Sequence, residues 1–141
     1  MTIIVDTSAI LALFDEAYSE HKQLAQIIDK ADERLVVSPM IVAEADYMLY
    51  TRLGSRAAHD FASDVAGGAY DLAAWTSNHH AAAVAVTTKY DQDYVGIADA
   101  SNVVIADRER TNRIMTLDQR HFRTLRPLWG FDSFVLLPYD S

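Results

Sequence analysis

The stretch Thr2-Ile3-Ile4-Val5-Asp6 limits the fold of this chain more than any other. Ile3, Ile4 and Val5 are consecutive β-branched apolar residues with no polar residue between them. A strand with one face in water alternates apolar and polar residues. An unbroken apolar run has to be covered on both faces, as in a parallel sheet with helices on each side. Asp6 ends the run, and Thr7-Ser8-Ala9-Ile10-Leu11 begins a helix-like pattern at once, with Thr7 and Ser8 suited to its start. A carboxylate therefore stands at the carboxyl end of a buried strand, the edge of an open α/β sheet where ligands bind.

The same alternation recurs along the chain. Strands are expected at 3–5, 35–37, 70–75, 114–117 and 134–137, and helices at 7–14, 19–29, 39–53, 55–66, 77–90 and 98–110, with a short turn or helix at 118–123. Ser38-Pro39 is a helix start, serine as cap and proline in the first turn, and Gly54 is the matching stop. Strands alternating with helices predict βαβ units, an α/β class and a mainly parallel sheet of four to five strands. A chain of 141 residues is expected to form one domain, 1–141. A domain of that size buries roughly 68–70% of its unfolded surface and needs no staple.

Cysteine is absent, which excludes a disulfide framework, a thiol nucleophile and a zinc ribbon, and fits the cytoplasm. The first apolar run is broken by Asp6 and lacks a basic leader, so no signal peptide is expected. No apolar segment reaches the ~18 residues of a membrane span. The net charge of −8 weighs against a nucleic-acid partner, but its distribution does not. Six of the twelve Lys and Arg residues, Arg108, Arg110, Arg113, Arg120, Arg123 and Arg126, fall within a short segment opposed only by Glu109 and Asp118. A basic patch beside an acidic cluster suits a metal-dependent phosphodiesterase.

The acidic cluster rests on four residues. Asp6 and Asp118 each follow a buried strand, so a parallel sheet brings both to one edge. Thr116, two residues before Asp118, is placed to orient one of them. Glu44, in Met40-Ile41-Val42-Ala43-Glu44-Ala45, shares a helical face with Ile41 and Met48, where a carboxylate is costly unless paired or bound to a cation. Asp99 opens the helix at 98–110, with Asn102 one turn on, able to reach a metal shell or a phosphate. Each aspartate taken alone also suits a helix cap, and Glu44 could pair with Arg52 or Arg113. The conjunction points to a cation, because four carboxylates in one cleft do not all ionise cheaply without one. Oxygen donors without cysteine suit Mg²⁺ or Mn²⁺.

The blocks Asp6-Thr7-Ser8-Ala9, Pro39 to Ala43-Glu44, Ala98-Asp99-Ala100 and Thr116-Leu117-Asp118 resemble the four motifs of the PIN-domain ribonucleases, in order and spacing. Within that family the chain is most similar to the VapC toxins of VapBC toxin–antitoxin pairs. The resemblance implies a three-layer α/β/α fold and a Mg²⁺-dependent endoribonuclease acting on tRNA or rRNA. It also implies a homodimer and a cognate VapB-like antitoxin. By the same resemblance Asp6, Glu44, Asp99 and Asp118 match the family's four acids, with Asp6 and Asp99 as direct ligands and Glu44 and Asp118 completing the shell.

Arg108, Arg110, Arg113, Arg120 and Arg123 are candidate contacts to the RNA backbone, where they would position but not read it. Antitoxin contact is an equal use for them. His121 lies among these arginines, where it could touch phosphate, but is read as having no role in the site; the loop residues Asp91 and Asp93 are read as solvated, with a peripheral ion contact the lesser reading. Ser8 lacks a nucleophile-elbow glycine pattern, which excludes a serine hydrolase. Two other readings stay open. One is a haloacid-dehalogenase-like phosphatase, against which Ser8 stands where a second aspartate is needed. The other is a non-catalytic binding module on the same fold.

Overall fold

The computed structural model describes residues 2–30 and 32–140. The order of elements is β1 (Thr2–Val5), α1 (Thr7–Phe14), α2 (His21–Lys30), β2 (Arg34–Val37), α3 (Pro39–Leu53), α4 (Ser55–Ala66), β3 (Asp71–Leu72), α5 (Ser77–Lys89), α6 (Ile97–Arg108), β4 (Arg113–Met115), α7 (Gln119–Thr124) and β5 (Val135–Leu137). The five strands form one sheet in the order β3-β2-β1-β4-β5, and every neighbouring pair is parallel.

The side-chain alternation of the pleat divides the core into two layers. Ile3, Val5, Val37, Met115 and Leu137 face one side, where they pack with Ile10, Leu24, Ile41, Leu49 and Phe61 from α1 to α4. Ile4, Val36, Ile114 and Leu136 face the other, against Ala83, Val86, Val103 and Phe122 from α5 to α7. Each large side chain fully buried in this way contributes roughly 1.5–3 kcal/mol. The sheet is therefore sandwiched by helices, and β1, apolar on both faces, lies in its middle.

Local chemistry sets the element ends. Ser38 accepts a hydrogen bond from the Met40 amide and Pro39 occupies the first turn of α3. Gly54, at φ +99°, closes α3 and turns the chain directly into α4, a conformation in which a Cβ is strained. The expected third strand over 70–75 shrinks to Asp71–Leu72 at the sheet edge. Tyr70 is instead buried edge-on against Phe61. β4 ends at Met115, which leaves Thr116, Leu117 and Asp118 as an irregular segment before α7.

This strand order has one reversal. The chain steps outward from β1 to β2 to β3, then returns through α5 and α6 to β4 on the other side of β1. The carboxyl ends of β1 and β4 flank that switch point, where open α/β sheets leave a crevice. Among the described residues no helix is long and apolar enough to cross a membrane.

Candidate metal centre

Asp6 leaves β1 at the switch point, and only 4% of its surface is exposed. Its backbone amide donates to the Met115 carbonyl of β4 at 2.9 Å, which fixes the carboxylate between the two strands. Thr116 Oγ1 donates to Asp6 Oδ2 at 2.7 Å, Ser8 Oγ donates to the same oxygen at 3.1 Å, and Asn102 Nδ2 donates to Oδ1 at 3.0 Å. Three donors from β1–α1, β4 and α6 thus converge on one carboxylate. Burial pushes the Asp6 pKa up, and the hydrogen bonds from Thr116, the Thr7 backbone and Ser8 pull against it. Asp6 makes no side-chain cap to α1, so the cap reading of this residue does not hold.

Asp99 lies in the first turn of α6, half-buried. Its carboxyl is pushed up to about 7, first by burial and then by the negative charge of Asp6, with Asp118 and Glu44 adding to it and His121 opposing. All three other acids therefore act on Asp99, and the site is short of positive charge. An oxygen-rich pocket in which burial, and then neighbouring negative charge, resist the ionisation of one carboxyl is one that a divalent cation relieves. The donor set present fits such an ion.

The two oxygens of Asp118 have different partners. Its Oδ1 accepts from the His121 amide at 3.0 Å and caps α7. Its Oδ2 faces His121 Nδ1 at 2.8 Å, and the same nitrogen lies 3.5 Å from Asp99 Oδ2. Asp99, Asp118 and His121 can each offer a ligand atom within 4.8 Å of the others. His121, given no role in the site from the sequence, is in it. The signal that finds it is the Asp-x-x-His spacing at a helix start, which puts a capping carboxylate and an imidazole on one side of the first turn.

Glu44 corrects the sequence reading. Ile41, Ala45 and Leu49 are the buried residues of α3, at i, i+4 and i+8, and Glu44 falls beside that stripe, exposed. It is at the rim of the pocket and not embedded in an apolar face. Thr7 Oγ1 donates to Glu44 Oε1 at 2.6 Å and ties it to the start of α1. Neither arginine considered for it is its partner: Arg113 pairs with Glu33, and Arg52 donates to the Tyr18 hydroxyl.

Two polar residues expected near the acids hold Asp6. Thr116 is fully buried; besides Asp6 it accepts from the Asp118 amide at 3.0 Å, so one hydroxyl fixes both strand-end acids. Asn102 is also fully buried and reaches Asp6, not an open surface. Among the described residues its Oδ1 has no hydrogen-bond partner, and leaving such a group unpaired costs about 1–3 kcal/mol. Ser8, dismissed as a nucleophile, proves to be a brace: it donates to Asp6 and accepts from the Leu117 amide at 2.8 Å.

The five arginines do not form one patch. Arg108 and Arg110 precede β4 and Arg113 is its first residue, so all three lie at the amino edge of the sheet, where Thr111 donates to the Thr2 carbonyl at the start of β1. The acids are at the opposite edge. Arg113 is engaged by Glu33. Arg123, on α7, is held by Asp140 through two hydrogen bonds of 2.6 and 2.7 Å. Arg120 is exposed, adjoins His121 on α7, and has no acidic partner among the described residues.

Three comparisons bear on this arrangement. The sequence profile of the PIN domain matches residues 3–126. The chain is 46% identical over 136 residues to Ribonuclease VapC26 of Mycobacterium tuberculosis, which covers 96% of this chain and 100% of that one. The crystal structure of Mycobacterium tuberculosis VapC20, described as a Sarcin-Ricin loop cleaving toxin, superposes with a TM-score of 0.77 at 19% identity, covering 83% of this chain and 90% of that chain. VapBC2 from Rickettsia felis, solved with a fragment of promoter DNA, superposes with a TM-score of 0.67 at 12% identity, covering 92% and 100%. The two structural likenesses concern the fold.

Proposed function

The chain belongs to the PIN-domain family, and from that premise we propose that it is a VapC-type endoribonuclease, the toxin of a toxin–antitoxin pair, which hydrolyses phosphodiester bonds in structured RNA, either tRNA or rRNA. The observation that carries the reading is the gathering of acids at one sheet edge, where ligand atoms of Asp99 and Asp118 lie within 4.8 Å of each other and the charges of Asp6, Asp118 and Glu44 all bear on Asp99. A pocket so arranged calls for a divalent cation, and the one proposed is Mg²⁺, with Mn²⁺ able to replace it. Asp6 and Asp99 hold it directly, with Glu44 and Asp118 completing its surroundings.

When bound, such an ion supplies Lewis acidity toward a phosphate oxygen and toward a water. The protein's share is placement. Thr116, Ser8 and Asn102 keep the Asp6 carboxylate in one orientation, and Thr7 keeps Glu44 at the rim. Of the five arginines, Arg120 is retained as the contact to the RNA backbone near the cleaved bond. Arg113 and Arg123 are spent on Glu33 and Asp140.

The haloacid-dehalogenase alternative lapses with membership of the PIN family, and Ser8 in the place of its second aspartate agrees. Residues 1–141 are taken as a single PIN unit, since β5, beyond the matched residues, adds to the same sheet. A VapB-like antitoxin is the proposed partner. A homodimer is proposed as well, for which exposed Tyr47 and Tyr50 on α3 offer apolar surface. Action on RNA of the translation machinery implies the cytoplasm. The test is to incubate the purified chain with total cellular RNA, with and without Mg²⁺, and to map new 5′ ends. Discrete new ends that need Mg²⁺ support the reading. RNA left intact under both conditions refutes it.

A further inference from the structure

We propose that His121 is a nitrogen ligand of the bound ion, acting with Asp99 and Asp118, and that it makes the site hold first-row transition ions such as Mn²⁺ more tightly than Mg²⁺. The inference rests on the functional reading above, which by itself requires only carboxylates.

The geometry is already that of a mixed donor set. His121 Nδ1 stands 2.8 Å from Asp118 Oδ2 and 3.5 Å from Asp99 Oδ2, and the ligand atoms of the three residues lie within 4.8 Å of one another. Asp118 Oδ1 is committed to the amide that starts α7, so the oxygen it has left to offer is the one that faces the imidazole. Asp118 Oδ2 and His121 Nδ1 would together hold an ion placed there, in exchange for the proton that now links them.

The ring is already oriented by the protein, since its Nδ1 is aimed at oxygens of Asp118 and Asp99. The position is fixed from the helix side too, because residues i and i+3 of the first turn of α7 carry the pair. Mg²⁺ selects oxygen donors, whereas imidazole nitrogen favours transition ions. Carboxylates alone suit Mg²⁺ and Mn²⁺ alike; a nitrogen donor from His121 shifts the balance toward Mn²⁺.

The test is electron spin-echo envelope modulation of Mn²⁺ bound to the full-length chain, with Mn²⁺ affinity from EPR titration and Mg²⁺ affinity from competition. The wild type is expected to show nitrogen modulation from a coordinated imidazole. His121→Gln is expected to lose it and to bind Mn²⁺ more weakly by on the order of tenfold, while Mg²⁺ affinity hardly moves. A thermal melt verifies that the variant folds, and if it does not, the wild-type spectrum decides alone. Bound Mn²⁺ without nitrogen modulation, or an unchanged Mn²⁺/Mg²⁺ preference in a folded His121→Gln, overturns the assignment and leaves the ribonuclease reading standing. A wild-type chain that binds neither ion overturns both.

Discussion

Thr116 Oγ1 and Asp6 Oδ2 are 2.7 Å apart, a hydrogen bond that joins the end of β4 to the end of β1 across 110 positions of sequence. The hydroxyl also accepts from the Asp118 amide. A single buried side chain therefore fixes the relative position of two acids that arrive from different strands.

Thr116→Val tests that role, since it keeps the shape and removes the hydroxyl. Both Asp6 and the Asp118 amide lose a partner in a buried setting, so unfolding in denaturant should show a loss of about 1–3 kcal/mol. Metal affinity should fall by roughly 10–100-fold, the range seen when a group that orients a ligand is lost. Calorimetric titration with Mn²⁺ measures the second effect; unchanged affinity would mean that Thr116 serves the fold alone.

Asp6→Asn separates chemistry from stability. The asparagine fits the same space, and Asp6 is a buried carboxyl whose pKa burial raises, so loss of its charge should leave the melting temperature equal or higher. RNA cleavage should fall by more than the ~10–100-fold typical of losing an orienting group. A folded Asp6→Asn that cleaves at the wild-type rate contradicts the site assignment.

The raised pKa of Asp99 gives a pH dependence of known sign. With its pKa at about 7 in the folded chain against an ordinary 3.8, Asp99 keeps a proton on folding that the unfolded chain gives up. Stability from this group is thus fully present below the ordinary value and is lost as pH rises through about 7. In the presence of EDTA the melting temperature should fall across this window. Asp99→Asn should flatten that fall, and saturating Mn²⁺ should reverse it in the wild type. An equal slope in the variant would place the effect elsewhere.

The arginines should sort by their partners. Arg120→Ala should weaken binding of RNA in a cleavage-deficient background and reduce the slope of log affinity against log salt by about 1. Arg123→Ala and Arg113→Ala should leave that slope unchanged. Arg123→Ala frees Asp140 at the surface and should cost at most ~1 kcal/mol, as exposed ion pairs do. Fluorescence anisotropy over a salt series distinguishes the three.

What the sequence revealed was local periodicity and the ends of elements. Ser38-Pro39 and Gly54 bound α3 at the residues expected, and Ile3-Ile4-Val5 is buried on both faces because β1 is central. Asp6 and Asp118, each following an apolar strand of a parallel sheet, lie at one edge, and Asp99 in the first turn of α6 is near enough to feel both their charges. Burial was less legible. Glu44 shares helical spacing with Ile41, but the face that α3 buries runs through Ile41, Ala45 and Leu49 and leaves Glu44 at the rim. Nearness in sequence concealed opposite edges of the sheet, since Arg108, Arg110 and Arg113 stand at the amino end of β4 and Asp118 follows its carboxyl end. His121 and Ser8 were missed for a third reason. Their roles come from partners on other elements, Asp99 for one and Thr116 and Leu117 for the other, and only the strand order brings these together.

Diffraction from a crystal soaked in Mn²⁺, with data collected for anomalous signal, addresses the central claim most directly. The account predicts a strong anomalous peak at the carboxyl edge between β1 and β4, within about 2.0–2.6 Å of carboxylate oxygens that include Asp6 or Asp99. Manganese found only at other surface carboxylates, with this pocket holding none at saturating concentration, would contradict it.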